Sequence, residues 1–167
     1  VRELNAMLEG YYRVVSQNDM QVVEVPETGT TFIENALIKA RNASLQSKLP
    51  ALADDSGLEV NFLDGAPGIY SARYSEERTD CSNTLKLLKK MNGVPKEDRK
   101  ASFKCSLVLL GKEYNHTVEG SFEGEIGTLL KGKNGFGYDP IFVVPGSGLH
   151  LAELNQIEKI KISHRAI

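Results

Sequence analysis

The sequence is poor in cysteine and has no long apolar run. Its two cysteines, Cys81 and Cys105, have no CxxC partner, which argues against a disulfide scaffold or a zinc site and is compatible with a reducing compartment. No apolar run approaches the roughly 18 residues of a membrane span, and no signal peptide is recognisable. We therefore expect a cytoplasmic protein that has no membrane partner.

The sequence also lacks a large excess of charge of either sign. The 20 basic and 22 acidic residues leave a formal charge of -2, which excludes the strongly basic footprint of a general DNA or RNA binder. Any nucleic-acid-related ligand then has to be small. The 167 residues, 41% of them hydrophobic, suffice for one domain or a pair of tightly packed lobes with a real core.

The hydrophobic periodicity predicts a mixed α/β protein. Helices are predicted over residues 1–8, 32–47, 80–91 and 151–158. Thr30 and Thr31 are candidate N-caps of the second helix, with Glu34 in capping-box spacing. Strands are predicted over residues 12–16, 22–25, 101–110, 114–125 and 141–144, and a strand, a polar turn and a second strand over residues 51–63.

The segment DDSG over residues 54–57 carries two adjacent carboxylates at the end of a short apolar strand. Side chains alternate along a strand, so one carboxylate can face a cleft while the other anchors the turn. Hard oxygen donors of this kind suit Mg²⁺. The same residues are also typical of an Asx turn, in which an aspartate caps the backbone and Gly57 takes a positive φ.

Glu27 and Lys39 flank the start of the predicted helix over residues 32–47. If this helix packs beside Asp55, Glu27 can supply a second oxygen to the same ion and Lys39 can reach a phosphate. Each residue also has a surface interpretation. Glu27 can be a solvated acid near a helix N-terminus, and Lys39 part of a solvated helix face.

The segment NGFGYD over residues 134–139 places glycines on both sides of an aromatic residue. These glycines leave a face of the Phe136 ring open to a flat partner, and Asp139 offers a carboxylate to an N–H donor. An aromatic face and one hydrogen-bonding group can hold a single nucleobase. The alternative is a glycine-rich turn whose Phe136 and Tyr138 pack in the core.

His164 and Arg165 are two strong donors at a predicted helix N-terminus, a position that attracts anions and acceptor oxygens. Lys159, five residues earlier, adds a mobile cation. A lone histidine is usually a satisfied core or surface residue, so His164 is a candidate only because of its neighbours. His116 and His150 are interpreted as structural.

Several stretches match one family in order and spacing across nearly the whole chain. They are ETG at residues 27–29 with FIENA at 32–36 and KA at 39–40, ADDSGL at 53–58, GAPGIYSARY at 65–74, GFGYDPIF at 135–142, and the run from Lys159 to SHR at 163–165. Together they resemble the inosine/xanthosine triphosphate pyrophosphatase family of house-cleaning enzymes.

The resemblance implies an α/β fold with a long mixed central sheet, flanking helices, two lobes enclosing a nucleotide cleft, and a homodimer. It also implies Mg²⁺-dependent hydrolysis of ITP, dITP and XTP to the monophosphate and diphosphate, with Mn²⁺ as an alternative ion. By position, Asp55 is implied as the catalytic residue and a metal ligand, and Glu27 as the second metal ligand. The implied substrate contacts are Ser56, Lys39, Phe136, Gly137, Tyr138, Asp139, Lys159, His164 and Arg165.

The family pattern also contains a Ser/Thr-x-Asn-x-x-Lys phosphate loop and a closing helix that fall before and after residues 1–167. We expect a single domain over residues 1–167 without these two parts. Both ends of the sequence fall inside predicted helices, and natural termini seldom cut a packed helix, which favours their presence in the complete protein.

Two other functions stay open at this point. A purine-nucleotide sensor would keep the cleft without hydrolysis. A phosphatase of the aspartyl-phosphate type, indicated by Asp54 and Asp55 alone, would form a phosphoenzyme and release orthophosphate instead of diphosphate.

Overall fold

The structure is a computed structural model that describes residues 10–162, apart from the side chains of Ile160 and Lys161. The predicted helix over residues 1–8 and the predicted site residues His164 and Arg165 lie outside the described residues. Within the described part of the chain, no helix is long and apolar enough to cross a membrane.

Helix α1 covers Phe32–Ser47, the predicted range, and begins with a capped first turn. The Thr31 side chain accepts a hydrogen bond from the Glu34 N–H, which confirms Thr31 as the N-cap. The Glu34 carboxylate turns back and accepts from the N–H and the hydroxyl of Thr30 at 2.6 and 2.8 Å. The Thr31 cap thus satisfies a donor that the first turn of a helix leaves unpaired, and the Glu34 carboxylate holds Thr30, the residue before the cap.

Helix α2 covers Asp80–Lys90 and begins in a capping box formed by Thr79 and Ser82, so the predicted helix over residues 80–91 is confirmed to within one residue. The predicted helix over residues 151–158 is wrong in extent. A 3-10 turn at Leu151–Glu153 is followed by helix α3 at Gln156–Ile162. The reason is a second N-cap, since the Asn155 side chain accepts from the N–H of Glu158 at 3.0 Å and starts a new helix.

The strands β1 (Ala51–Val60), β2 (Lys100–Leu110), β3 (Asn115–Ile126) and β4 (Phe142–Val143) form a sheet in the order β1-β2-β3-β4. Four residues, 111–114, join β2 to β3, and Gly111 and Tyr114 are bonded to each other through N–H and C=O in both directions. β4 pairs antiparallel with β3. The predicted strands over residues 101–110 and 114–125 are confirmed to within one residue.

The predicted strand, polar turn and strand over residues 51–63 are wrong in detail, because DDSG lies inside one continuous strand, β1. The residues of a turn can remain in a strand when neighbouring strands supply hydrogen bonds and the alternation of faces is kept. Asp55 and Gly57 are buried, whereas Asp54 and Ser56 are only partly so. The chain leaves the strand later, in a 3-10 turn at Asn61–Leu63.

The predicted strands over residues 12–16 and 22–25 are also wrong, since the structure assigns no strand to either segment. The backbone of Val23 shows the reason. Its N–H donates to the Gln46 side chain at 2.9 Å, and its carbonyl accepts from the side chains of Asn42 and Gln46 at 2.7 and 3.0 Å. Side chains of α1 therefore take the hydrogen bonds that a neighbouring strand would otherwise supply.

The chain divides into two compact units. Unit 1 comprises the described residues of Val1–Asp54 with Leu107–Val118, and unit 2 those of Asp55–Ser106 with Glu119–Ile167. The two units agree with the two lobes that the resemblance implies, and the α/β fold class is confirmed. The core of unit 1 is built around Ala36, Ala40 and Val108. The larger core of unit 2 includes Leu58, Val60, Leu87, Met91, Ala101, Ile126, Tyr138, Ile141, Phe142 and Leu151.

A buried arginine ties unit 2 together after α2. The Arg99 guanidinium donates to the carbonyls of Met91, Val94, Ile126 and Gly127 at 2.5–3.3 Å. Burial lowers its pKa, because desolvation disfavours the charged form. The arginine therefore joins the end of α2 to the end of β3 through backbone atoms.

Candidate functional site

In unit 1, Glu27 lies in a loop that is fixed on the first turn of α1. The Gly29 N–H donates to the Asn35 side-chain oxygen at 2.8 Å. A Cβ at Gly29 would lie 2.6 Å from the Cβ of Glu34, so the close approach requires glycine. The loop that carries Glu27 is therefore held by α1 itself.

Glu27 and Lys39 are brought together, as the sequence predicts for neighbours of one site. The Lys39 ammonium donates to the Glu27 carboxylate at 3.1 Å, and about a quarter of each side chain is exposed. Lys39 is therefore more than a solvated helix face. The pair offers one anionic and one cationic group at a partly accessible position, where a cation and a phosphate oxygen could each find a partner.

The first turn of α1 also carries a stable negative charge. Hydrogen bonds from the backbone and hydroxyl of Thr30 lower the pKa of the Glu34 carboxyl below its ordinary value of 4.5. Glu34 is ionised at neutral pH and engaged locally, which leaves Glu27 as the carboxylate of this loop that faces Lys39.

Asp55 begins the part of β1 that belongs to unit 2, and it is 8% exposed. Asp54, one position earlier, is less buried, as the opposite directions of successive side chains predict. A carboxylate as buried as Asp55 needs charged or hydrogen-bonding partners to stay ionised. Such a group can accept a proton or contact a cation.

The Phe136 ring is 56% exposed, although its backbone is fixed. The Phe136 N–H donates to the Asp139 carboxylate at 2.9 Å, and the Asp139 N–H donates to the Phe136 carbonyl at 3.2 Å. A Cβ at Gly135 would lie 1.9 Å from the Asp139 Oδ2, so this turn requires glycine there. An exposed aromatic ring on a fixed backbone is suited to stacking on a flat ligand.

Lys159 joins Phe136 and Asp139 in unit 2. Its ammonium forms an ion pair with the Asp139 carboxylate and lies 4.5 Å from the centroid of the Phe136 ring. The Lys159 side chain is only 13% exposed. The structure thus brings together three residues that the sequence assigned to one substrate site, although 20 positions separate Asp139 from Lys159.

Asp139 and Tyr138 are both buried, which differs from the expectation that their side chains contact a substrate directly. Asp139 is almost fully buried, and its carboxylate already binds the Phe136 N–H and Lys159. Tyr138 packs in the core, and its hydroxyl donates to the Ser71 carbonyl at 2.9 Å. Burial, the largest cause, raises the Tyr138 pKa. A direct contact of Tyr138 or Asp139 with a substrate stays a prediction, whereas the structure gives both side chains a supporting role.

Sequence reasoning missed two residues of α2 that contact this turn. The Asp80 carboxylate accepts from the Gly137 N–H at 2.8 Å, and the Thr84 hydroxyl donates to the Gly137 carbonyl at 3.1 Å. Gly137 lies 57 and 53 positions away, so no local pattern indicates these contacts. The only sequence signal is their i,i+4 spacing, which puts both side chains on one side of the helix.

The donors present fit a hard cation better than a soft one. Among the described residues, no group of three or more His, Cys, Asp or Glu side chains is arranged to hold a metal ion. Mg²⁺ commonly takes one or two protein carboxylates and completes its shell with water and phosphate. Glu27 in unit 1 and Asp55 in unit 2 each offer carboxylate oxygens of this hard kind.

This chain is similar in sequence to known proteins. The model of the Ham1 family matches residues 1–167. A dITP/XTP pyrophosphatase of Vibrio parahaemolyticus is 53% identical over 170 residues, which cover 99% of this chain and 85% of that protein. A dITP/XTP pyrophosphatase of Bacillus licheniformis is 52% identical over 171 residues, with 99% and 87% covered.

Solved structures are similar as well. A HAM1 protein from Coxiella burnetii superposes with a TM-score of 0.90 at 43% identity, over 98% of this chain and 86% of that one. The Ham1 protein of Staphylococcus aureus gives a TM-score of 0.89 at 40% identity, over 99% and 86%.

Proposed function

Because this chain belongs to the Ham1 family, we propose that it hydrolyses non-canonical purine nucleoside triphosphates, namely ITP, dITP and XTP, to the monophosphate and diphosphate. The family match confirms the resemblance found in the sequence. The structural observation that carries the proposal is the exposed Phe136 ring on a fixed backbone beside Lys159. This arrangement supports binding of a flat base, and the names of the relatives indicate the reaction.

In the proposed reaction, water attacks the α-phosphorus. A new bond forms between that phosphorus and the water oxygen, the bond to the α–β bridging oxygen breaks, and diphosphate leaves. Asp55 orients the water and accepts its proton, which is the role of a general base. Lys39 and Lys159 contact the phosphates and the substrate, and Ser56 is a further substrate contact.

We propose Mg²⁺ as the cofactor, with Mn²⁺ as an alternative, held by Asp55 and Glu27. When bound, the ion would neutralise charge on the triphosphate. The support is the chemistry of the donors, since both are carboxylates and hard oxygen ligands suit these ions. The Lys39 ammonium, 3.1 Å from the Glu27 carboxylate, adds a cationic group beside this proposed ligand.

Base selection is assigned to the donors His164 and Arg165 together with the turn over residues 136–139. A 6-oxo purine presents an acceptor oxygen at position 6, which suits such donors, whereas adenine presents an amino group there. A site built for one hydrogen-bonding pattern leaves buried groups unpaired with the other. The Asp139 carboxylate supports this site by holding Phe136 and Lys159.

We further propose a cytoplasmic homodimer that has no DNA or RNA partner. Cys81 and Cys105, both among the described residues, form no disulfide, which agrees with a reducing compartment, and the formal charge of -2 is unlike that of a nucleic-acid binder. Sedimentation of the complete protein tests the dimer.

The products of the reaction test the function. ITP is incubated with the complete protein and Mg²⁺, and the products are separated by ion-exchange chromatography. IMP with diphosphate supports the proposal. IDP with orthophosphate indicates a phosphatase, and binding without any product indicates a sensor. A chelator should abolish turnover, and excess Mg²⁺ should restore it, whereas full activity in a metal-free sample removes the ion from the mechanism.

A further inference from the structure

The turn that presents Phe136 has glycines on both sides, and both take a positive φ: +78° at Gly135 and +58° at Gly137. Glycine loses more conformational freedom on folding than any other residue, so such a turn is not rigid by itself. An exposed ring at its centre would sample many directions unless the surrounding peptide units were fixed. Contacts with neighbouring residues therefore have to fix the turn.

Three successive peptide units of this turn are each held by a different side chain. Asp139 accepts from the Phe136 N–H at 2.9 Å, Asp80 accepts from the Gly137 N–H at 2.8 Å, and Thr84 donates to the Gly137 carbonyl at 3.1 Å. Asp139 is part of the turn, whereas Asp80 and Thr84 come from α2. The helix therefore fixes the turn from outside.

We propose that Asp80 and Thr84 are positioning residues for base recognition: they hold the peptide units on both sides of Gly137 and thereby fix the Phe136 ring in the direction in which it stacks on the purine. This inference rests on the proposed function. Pre-organising a stacking ring raises affinity, because the cost of ordering it is met during folding and not during binding.

The two side chains differ in how well they are shielded. Thr84 is 1% exposed, so its hydroxyl is bonded away from water, whereas Asp80 is exposed. Asp80 also lies in the first turn of α2, where a negative charge stabilises the helix. Thr84 therefore gives the cleaner test, because its hydroxyl can be removed without changing a charge or a cap.

The test compares Thr84→Val, which keeps the shape and removes the hydroxyl, with Thr84→Ser, which keeps the hydroxyl. We expect Thr84→Val to raise KM for ITP about fivefold, the factor that corresponds to one neutral hydrogen bond, with kcat within about twofold of wild type. Thr84→Ser should restore KM. Asp80→Ala should raise KM about tenfold, and Asp80→Asn, which keeps an acceptor oxygen, should recover most of it.

Two controls separate positioning from folding. Asp98 is an exposed acid in the 3-10 turn Lys96–Asp98, so Asp98→Asn should leave KM unchanged. Urea unfolding of each variant measures its stability, and a purely structural role would lower the free energy of unfolding in Thr84→Val without moving KM.

The outcomes also separate this inference from the proposed function. If wild type releases diphosphate from ITP but Thr84→Val and Asp80→Ala both keep the wild-type KM, the inference is overturned and the function stands. If wild type releases no diphosphate, the proposed function fails. The affinity of wild type and of the same variants for IMP, measured by calorimetry, then tests the inference. A fivefold loss of affinity in Thr84→Val that Thr84→Ser restores supports the inference, whereas equal affinities or no binding by wild type overturn it.

Discussion

Removal of the negative charge at Asp139 is expected to destabilise unit 2 strongly. Asp139→Asn keeps the shape of the side chain and one acceptor for the Phe136 N–H, but it leaves the Lys159 ammonium without its carboxylate partner. Breaking a buried ion pair by removing one partner costs about 3–5 kcal/mol. Lys159 is 13% exposed and keeps its contact with the Phe136 ring, so we place the loss at the lower end, about 3 kcal/mol.

Urea and thermal unfolding followed by circular dichroism measure this loss. A chain of this size loses about 2–4 °C in Tm for each kcal/mol, so Tm should fall by about 6–12 °C. The matched control is Glu123→Gln in unit 2, because the Lys104–Glu123 pair is separated by 3.9 Å and its side chains are 35% and 73% exposed. That change should cost less than about 1 kcal/mol.

A double-mutant cycle tests the assignment of the loss to the pair. Lys159→Met in the Asp139→Asn background should recover stability, because no uncompensated charge then remains, with a coupling energy of at least about 1.5 kcal/mol. Losses that add to within about 0.5 kcal/mol would refute the reasoning.

Three other predictions follow from the same structure. Arg99→Met should lower the free energy of unfolding by about 3–5 kcal/mol in urea, because several buried carbonyls lose their donor; a loss below about 1 kcal/mol would contradict that role. The lowered pKa of Glu34 means that its charge stabilises the fold above the ordinary value of 4.5 and that this contribution disappears as the pH falls through the lower folded value. The stability gap between wild type and Glu34→Gln, measured by urea unfolding across pH, should therefore shrink below pH 4.5, and a gap that is constant with pH would be the opposite result. Asp55→Asn should lower kcat at least about 100-fold with the fold intact, whereas Asp54→Asn should act through Tm; equal losses of turnover with unchanged melting in both would count against this division.

Much of the fold could be predicted because its signals are local. The cap at Thr31, the periodicity of residues 32–47 and the two strand-forming runs on either side of Gly111 are local signals, and α1 and the β2–β3 hairpin follow from them. The strand β1 could not be predicted in full. Its DDSG segment has the composition of a turn, and only the tertiary context keeps it extended.

The segments before α1 show the opposite error. Residues 22–25 have the β-branched composition of a strand, but the side chains of Asn42 and Gln46 bind the Val23 backbone from the helix. Sequence composition does not show where backbone hydrogen bonds go, and those bonds decide whether a segment becomes a strand.

The sequence predicted which residues belong to the candidate site better than it predicted how they are arranged. The glycine-flanked Phe136 indicated an open ring, and the ring is exposed, whereas Tyr138 packs in the core, as the alternative interpretation of the same segment predicted for it. The contacts of Lys159 with Asp139 and of α2 with Gly137 join residues far apart in the sequence. Such contacts depend on packing, which a single sequence does not display.

The most direct test of the central claim is the catalytic efficiency of the complete wild-type protein on ITP and on ATP, with both products identified. We expect IMP and diphosphate from ITP, and a kcat/KM at least about 100-fold higher for ITP than for ATP, because adenine presents the reversed hydrogen-bonding pattern at a site built for a 6-oxo purine. Comparable efficiencies for the two nucleotides, or orthophosphate as the product, would contradict the account.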